Sequence, residues 1–138
     1  MDIRRITDEF SVAPQIGVDD VAAIAAAGFR AVVCNRPDGE AAEQPESDDV
    51  ARAVIACGME WRMLPVRNIC RDDVDAFAAV VGELPKPVLA YCRSGTRCTT
   101  LWSLTEIDKR PVQDIVARAR AAGYDMAPVV QRAAGLRS

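Results

Sequence analysis

The residues of this chain best suited to chemistry are Cys92, Gly95 and Arg97, which lie within one short polar segment. The segment follows an apolar run typical of a strand and precedes a run typical of a helix. In such a turn, successive backbone N–H groups bind an anion, and the dipole of the following helix adds partial positive charge. These features favour a thiolate, so we expect the pKa of Cys92 to lie well below the value of about 8.5 for a free cysteine. Cys92 is therefore predicted to be a nucleophile at the base of an anion-binding loop.

The neighbours of Cys92 fit the same chemistry. Gly95 supplies a backbone conformation that side chains disfavour, and Arg97 offers a planar pair of donors to an oxyanion. Arg93 is either a residue that attracts an anionic substrate at the mouth of the loop or a solvated surface arginine. Ser94 and Thr96 contribute backbone amides and hydroxyl donors.

Cys98 occupies the first turn of the helix that follows the loop, and its amide belongs to the predicted anion site. Its side chain has two interpretations. We favour a small buried residue. The alternative is a resolving thiol that attacks Cys92 when Cys92 carries an oxygen or an extra sulfur.

The composition restricts how Cys92 can be activated. The chain has no histidine, which excludes Cys–His and Ser–His pairs and argues against a catalytic zinc site. Its five cysteines are an odd number, which is poor support for a disulfide framework. No metal or organic cofactor is implied.

Length and charge place the chain among ordinary globular proteins. Its 138 residues fit a single domain over residues 1–138, and the net charge of −3 argues against nucleic acid as a partner. No apolar run approaches the ~20 residues of a membrane span. The first five residues lack the apolar stretch of a secretory signal, so we expect a cytoplasmic location without a membrane partner.

Predicted strands and helices alternate along the chain. The strands are expected in residues 3–12, 29–34, 59–66 and 87–91, and the helices at 18–27, 47–57, 72–81, 98–108, 112–122 and 128–134. This order indicates an α/β fold with a mainly parallel central sheet and helices on both faces. Sites in such folds lie at the carboxyl ends of the strands, where the loops 35–40, 67–71 and 92–97 should meet.

Four further residues on these loops are candidates for supporting roles. They are Asn35, Arg36, Asp38 and Cys70. Asp38 is a candidate to hold Arg97 or to act as a distant acid, but Pro-Asp-Gly is a turn sequence in its own right, and we favour that interpretation. Cys70 is either an acceptor of sulfur or a surface cysteine.

The loop resembles two known patterns. Residues 92–97, Cys-Arg-Ser-Gly-Thr-Arg, match the rhodanese pattern Cys-Arg-x-Gly-x-Arg. They are also similar to the Cys-x5-Arg loop of tyrosine and dual-specificity phosphatases, with one residue fewer.

About residues 1–108 resemble a bacterial family, the beta-lactamase-hydrolase-like, phosphatase-like domain. The similarity is carried by the segments 10–16, 35–40, 64–66 and 90–97. It implies a fold like that of protein tyrosine and dual-specificity phosphatases. Members are often labelled sulfurtransferases, and some are fused to a metallo-hydrolase domain of the persulfide dioxygenase kind, so the resemblance implies sulfide or persulfide metabolism.

Two reactions fit the predicted thiolate. A rhodanese-like sulfurtransferase would form a persulfide on Cys92 from thiosulfate or a small persulfide and pass the sulfur to a thiol acceptor. A phosphatase would form a phosphocysteine and benefit from an acid for the leaving group. We favour sulfur transfer, because Arg97 follows Cys92 by five residues where phosphatases have six. Residues 67–70 also carry no carboxyl group where the phosphatase resemblance places the acid, and Tyr91 replaces the phosphatase histidine.

A third interpretation makes the chain a non-catalytic module that binds a persulfide dioxygenase-like protein. It predicts that Cys92 is inert to persulfides and that binding survives Cys92→Ser.

Overall fold

The computed structural model describes residues 1–137, which form one sheet with helices around it. The strands are β1 (Arg4–Arg5), β2 (Phe10–Ala13), β3 (Ala31–Cys34), β4 (Glu60–Met63) and β5 (Val88–Tyr91). Their order in the sheet is β1-β2-β5-β3-β4. Only β1 runs antiparallel to its neighbour, and the other three pairings are parallel. The mainly parallel sheet predicted from the alternation of elements is confirmed.

Six α-helices occur among the described residues, and a 3₁₀ helix (Val18–Asp20) precedes the first of them: α1 (Val21–Ala26), α2 (Ser47–Ala56), α3 (Arg71–Glu83), α4 (Thr96–Glu106), α5 (Val112–Ala121) and α6 (Ala127–Arg137). Gly28 and Gly58 follow α1 and α2 with φ of +101° and +83°, the left-handed conformation that ends many helices. None of the helices within residues 1–137 is both long and apolar enough to cross a membrane.

Apolar side chains cover both faces of the sheet. Val32 and Leu89 point to one face, where they pack in a cluster with Val21 of α1 and Val50 of α2. The next residue along each strand points the other way, into a larger cluster built by α3, α4, α5 and α6. Every residue of β2, β3 and β5 is buried, because these strands are covered on both sides.

The central strands end at the same level, which brings the following loops together. Ala13, Cys34 and Tyr91 are paired neighbours at the carboxyl ends of β2, β3 and β5. Beyond them, the amide of Cys92 donates to the Ala13 carbonyl over 3.3 Å, and the amide of Asn35 donates to the Tyr91 carbonyl over 2.9 Å. The predicted meeting of the loops 35–40 and 92–97 is confirmed, and the segment after β4 joins them through the carbonyl of Val66, one residue before the predicted loop 67–71.

The helix predicted over residues 47–57 begins at Ser47 in the structure, and the side chain of its N-cap residue, Glu46, makes no capping hydrogen bond. Asp38 does the capping from a distance, because its two carboxylate oxygens accept hydrogen bonds from the Ser47 amide (2.8 Å) and the Ser47 hydroxyl (2.6 Å).

Candidate active site

Cys92 lies directly after β5 and is fully buried at the base of the loop that leads into α4. Gly95 closes the turn with φ of +91°, which only glycine adopts readily. A side chain there would also collide with Tyr124, because a Cβ atom on Gly95 would lie 2.1 Å from the Tyr124 hydroxyl oxygen. That hydroxyl donates to the Ser94 carbonyl over 2.9 Å and so supports the loop from behind.

Hydrogen-bond donors surround the sulfur of Cys92. The thiol of Cys98 donates to it, and so do the backbone amides of Cys98, Gly95 and Arg97, of which the Gly95 amide lies 3.1 Å away. The Cys98 hydrogen bond is the largest of these influences, and together they outweigh burial, which acts in the opposite direction. The pKa of Cys92 is thereby lowered to about 5, so the thiolate predominates at neutral pH.

Cys98 keeps its own proton. It is completely buried in the first turn of α4, and burial raises its pKa well above the usual value, with the neighbouring Cys92 thiolate acting in the same direction. The two thiols therefore divide into a charged acceptor, Cys92, and a neutral donor, Cys98. This confirms Cys98 as a small buried residue next to Cys92, and its resolving role stays a prediction.

Arg97 is fixed by a carboxylate that lies 57 positions earlier in the chain. Its two terminal nitrogens donate to the two oxygens of Glu40 over 2.9 and 2.7 Å, and one of them also donates to the Val66 carbonyl over 2.9 Å. These bonds leave the Nε–H and one terminal N–H of the guanidinium for an anion. Hydrogen bonds from Arg97, and then from Arg36, lower the pKa of Glu40 to about 2, so this carboxylate stays ionised.

Arg36 extends the network on the other side of Glu40. It is buried, and it donates to Glu40 over 3.1 Å and to the side-chain oxygen of Gln15 over 2.9 Å. Two arginines thus share one carboxylate, which leaves net positive charge beside the loop.

Asp38 does not hold Arg97, and residues 38 and 39 form a turn, which is the interpretation that the sequence analysis favoured. Glu40 holds Arg97, while Asp38 is engaged by Ser47. Glu40 was missed, although it lies four residues after Arg36 in the loop predicted to border the site.

The other residues that the sequence analysis named as site candidates lie at different positions relative to the Cys92 loop. Asn35 is buried and donates to the Leu64 carbonyl over 2.9 Å, so it joins the loops after β3 and β4. Arg93 is exposed at the mouth of the loop, and the exposed hydroxyl of Ser94 donates to that of Thr96 over 3.0 Å.

Cys70 is exposed at the start of α3, where it lines a groove with Leu104, Ile107 and Ala133, away from the Cys92 loop.

Comparison with known proteins identifies the family. The sequence pattern of the "Beta-lactamase hydrolase-like protein, phosphatase-like domain" family matches residues 2–109. The chain belongs to this family. A beta-lactamase hydrolase-like protein of Agrobacterium fabrum is 33% identical over an alignment of 126 residues, and the match covers 88% of this chain and 29% of that protein. The chain therefore spans less than a third of this relative.

Solved structures of phosphatase type share the fold. A candidate phosphatase (nma1982) from Neisseria meningitidis superposes with a TM-score of 0.87 at 33% identity and covers 98% of both chains. Tk-PTP in its active form superposes with a TM-score of 0.74 at 16% identity, over 99% of this chain and 98% of its own, a likeness of fold alone. The expected similarity to protein tyrosine and dual-specificity phosphatases is thus confirmed for the fold.

Proposed function

We propose that this protein is a cysteine-dependent phosphatase that works through a phosphocysteine on Cys92. The observation that carries the proposal is the ionised sulfur of Cys92 at the base of a loop of amides, with Arg97 beside it held by Glu40. The family match and the phosphatase-like neighbours support phosphoryl chemistry over the sulfur transfer that the sequence analysis favoured.

The site residues have distinct roles in this reaction. The Cys92 thiolate attacks phosphorus, and the loop amides with the free N–H groups of Arg97 bind the phosphoryl oxygens. Water then attacks the phosphocysteine and releases inorganic phosphate. Arg93 attracts the anionic substrate from solvent.

The test is hydrolysis of 4-nitrophenyl phosphate by purified protein, with the trapped intermediate identified by mass spectrometry after rapid acid quench. We expect one phosphoryl group on the peptide that contains Cys92, and we expect Cys92→Ser to abolish turnover. Cys57→Ser is the matched control, because Cys57 is an exposed free cysteine just after α2. Equal hydrolysis by wild type and Cys92→Ser would refute the proposal.

Sulfur transfer remains the second candidate, because the loop has one residue fewer than a phosphatase loop and a thiol at Cys98. It predicts that reduced protein gains one sulfur on Cys92 from thiosulfate or glutathione persulfide and that Cys92→Ser does not. A chain that shows neither reaction would instead fit a module that binds a persulfide-metabolising partner.

A further inference from the structure

The two carboxylates of the loop after β3, Glu40 and Asp38, are held as hydrogen-bond acceptors. Both oxygens of Glu40 accept from Arg97, and one also accepts from Arg36. Both oxygens of Asp38 accept from Ser47. Both carboxylates are thus occupied by donors of the protein, and Glu40, whose pKa is lowered to about 2, has no proton to give to a leaving group at neutral pH.

The loop after β4, residues 64–70, brings no carboxyl group to this edge of the sheet. The next acidic residues are Asp72 and Asp73 in the first turn of α3. Asp73 accepts from the Cys70 amide over 2.9 Å and caps that helix. Asp72 is exposed, as is Glu43 in the loop before α2.

Three of the O–H and S–H groups around the loop are committed to acceptors of the protein itself. The Tyr124 hydroxyl donates to the Ser94 carbonyl, and the Thr99 hydroxyl donates to the Gly95 carbonyl over 2.8 Å. The Cys98 thiol donates to Cys92. Each of these protons holds the loop in shape, so none is directed at a departing group.

We propose that this site cleaves only phosphoryl compounds whose leaving group departs unprotonated as a stable anion, as in acidic aryl phosphates and in anhydrides such as acyl phosphates. The inference rests on the proposed phosphatase function and specifies its substrate class. Esters of alcohols and ordinary phenols, whose leaving oxygen needs a proton, are poor substrates for the same reason.

Atoms, electrons and protons balance in both steps of the reaction without a proton from a protein acid. In the first step a bond forms between the Cys92 sulfur and phosphorus, the bond from phosphorus to the leaving oxygen breaks, and that oxygen departs with the electron pair. In the second step water attacks phosphorus, the P–S bond breaks, and the electron pair returns to sulfur. Both protons of the water leave on dihydrogen phosphate, which then equilibrates with solvent.

The experiment compares kcat/KM for 4-nitrophenyl phosphate, phenyl phosphate and acetyl phosphate. This parameter reports the first step even where hydrolysis of the phosphocysteine limits kcat. We expect phenyl phosphate to be slower than 4-nitrophenyl phosphate by about 10²-fold or more, the range that a general acid normally supplies. A higher kcat/KM for acetyl phosphate than for 4-nitrophenyl phosphate would indicate that the natural substrate is an anhydride. The reverse order would indicate an acidic aryl phosphate.

The variants Asp72→Asn and Glu43→Gln test two of the exposed carboxyl groups directly. Unchanged kcat/KM for phenyl phosphate in both supports the inference. A selective loss on phenyl phosphate in either variant, or wild-type values for the two aryl phosphates within about threefold, would overturn it while leaving the phosphatase function intact. Absence of Cys92-dependent hydrolysis of all three compounds would overturn both proposals.

Discussion

Cys98 controls the charge on Cys92 through a single S–H donor, the largest of the influences that lower the pKa of Cys92. Cys98→Ala removes this donor, and we expect the pKa of Cys92 to rise by about 1–2 units, the equivalent of one hydrogen bond to a charged group. Cys98→Ser retains an O–H donor and should change the pKa of Cys92 far less. The measurement is the pH dependence of iodoacetamide alkylation at Cys92, followed by peptide mass spectrometry. Equal alkylation profiles for Cys98→Ala and Cys98→Ser would contradict the assignment.

Glu40 positions Arg97 and contacts no reacting atom. Glu40→Gln keeps the shape of the side chain but removes the charge that Arg97 and Arg36 share. We expect the two cations to repel each other and kcat/KM for 4-nitrophenyl phosphate to fall by about 10- to 100-fold, with weaker inhibition by inorganic phosphate.

The exposed residue Glu43 provides the matched control for that variant, because Glu43→Gln removes a carboxylate from the same loop. Thermal unfolding of each protein separates misplacement of Arg97 from general loss of structure. A folded Glu40→Gln protein with unchanged phosphate affinity would remove Glu40 from the site.

The local sequence was sufficient to predict the roles of the site residues that share one loop. The order Cys92, Gly95, Arg97 predicts a turn, an anion site and a thiolate together, since all three act within six positions. The partners that fix this loop lie far along the chain: Glu40 is 57 positions from Arg97, and Tyr124 is 30 positions from Ser94. Only the folded chain brings such pairs together, so sequence periodicity gave no indication of them.

At the scale of elements, the turn between β5 and α4 depends on Gly95 as its left-handed residue. Gly95→Ala places a Cβ atom in a conformation that costs about 1–2 kcal/mol for an L side chain, and it also displaces Tyr124. We expect a loss of at least that size in the free energy of unfolding and a large loss of phosphatase activity. Urea denaturation and turnover of 4-nitrophenyl phosphate measure the two effects.

Gly82 offers the matched control within α3. Nothing lies within 4 Å of a Cβ atom built there, and its φ is not positive. Gly82→Ala should therefore leave activity unchanged and stabilise the helix by about 0.5–1 kcal/mol. Equal stability effects of the two substitutions would mean that the conformation of Gly95 is not a constraint.

Elements with strong local signals were predicted most closely. The glycines after α1 and α2 predicted the ends of these helices to within a residue or two. The unbroken apolar run of residues 87–91 predicted β5 equally closely. The strand order β1-β2-β5-β3-β4 has no local signal, because β5 inserts between strands that precede it by more than fifty residues. For that order the family resemblance, not periodicity, was the guide.

For the whole molecule, the shifted ionisation of Cys92 links folding to pH. Its pKa is about 5 in the folded chain and about 8.5 in an unfolded one, so the unfolded state binds more protons between these values. The stability that Cys92 contributes is fully present above about pH 8.5 and is lost as the pH falls towards 5. Stability from this group therefore rises with pH across that interval, by up to about 1.4 kcal/mol per unit.

The measurement is urea unfolding at several pH values between about 5.5 and 8, for wild type and for Cys92→Ser. We expect the difference in unfolding free energy between the two proteins to shift in favour of wild type as the pH rises. Parallel pH profiles would show that Cys92 is a neutral thiol in the folded protein.

The hydroxyl of Tyr124 behind Ser94 has a consequence for where this folding unit ends. The family pattern stops at residue 109, yet Ile115, Ala119 and Val130 lie in the core next to α4. A fragment trimmed at that boundary would keep Cys92 and Arg97 but expose apolar surface and release the loop at Ser94. The unit that folds around Cys92 therefore extends at least to Val130, well past residue 109, where the family pattern stops.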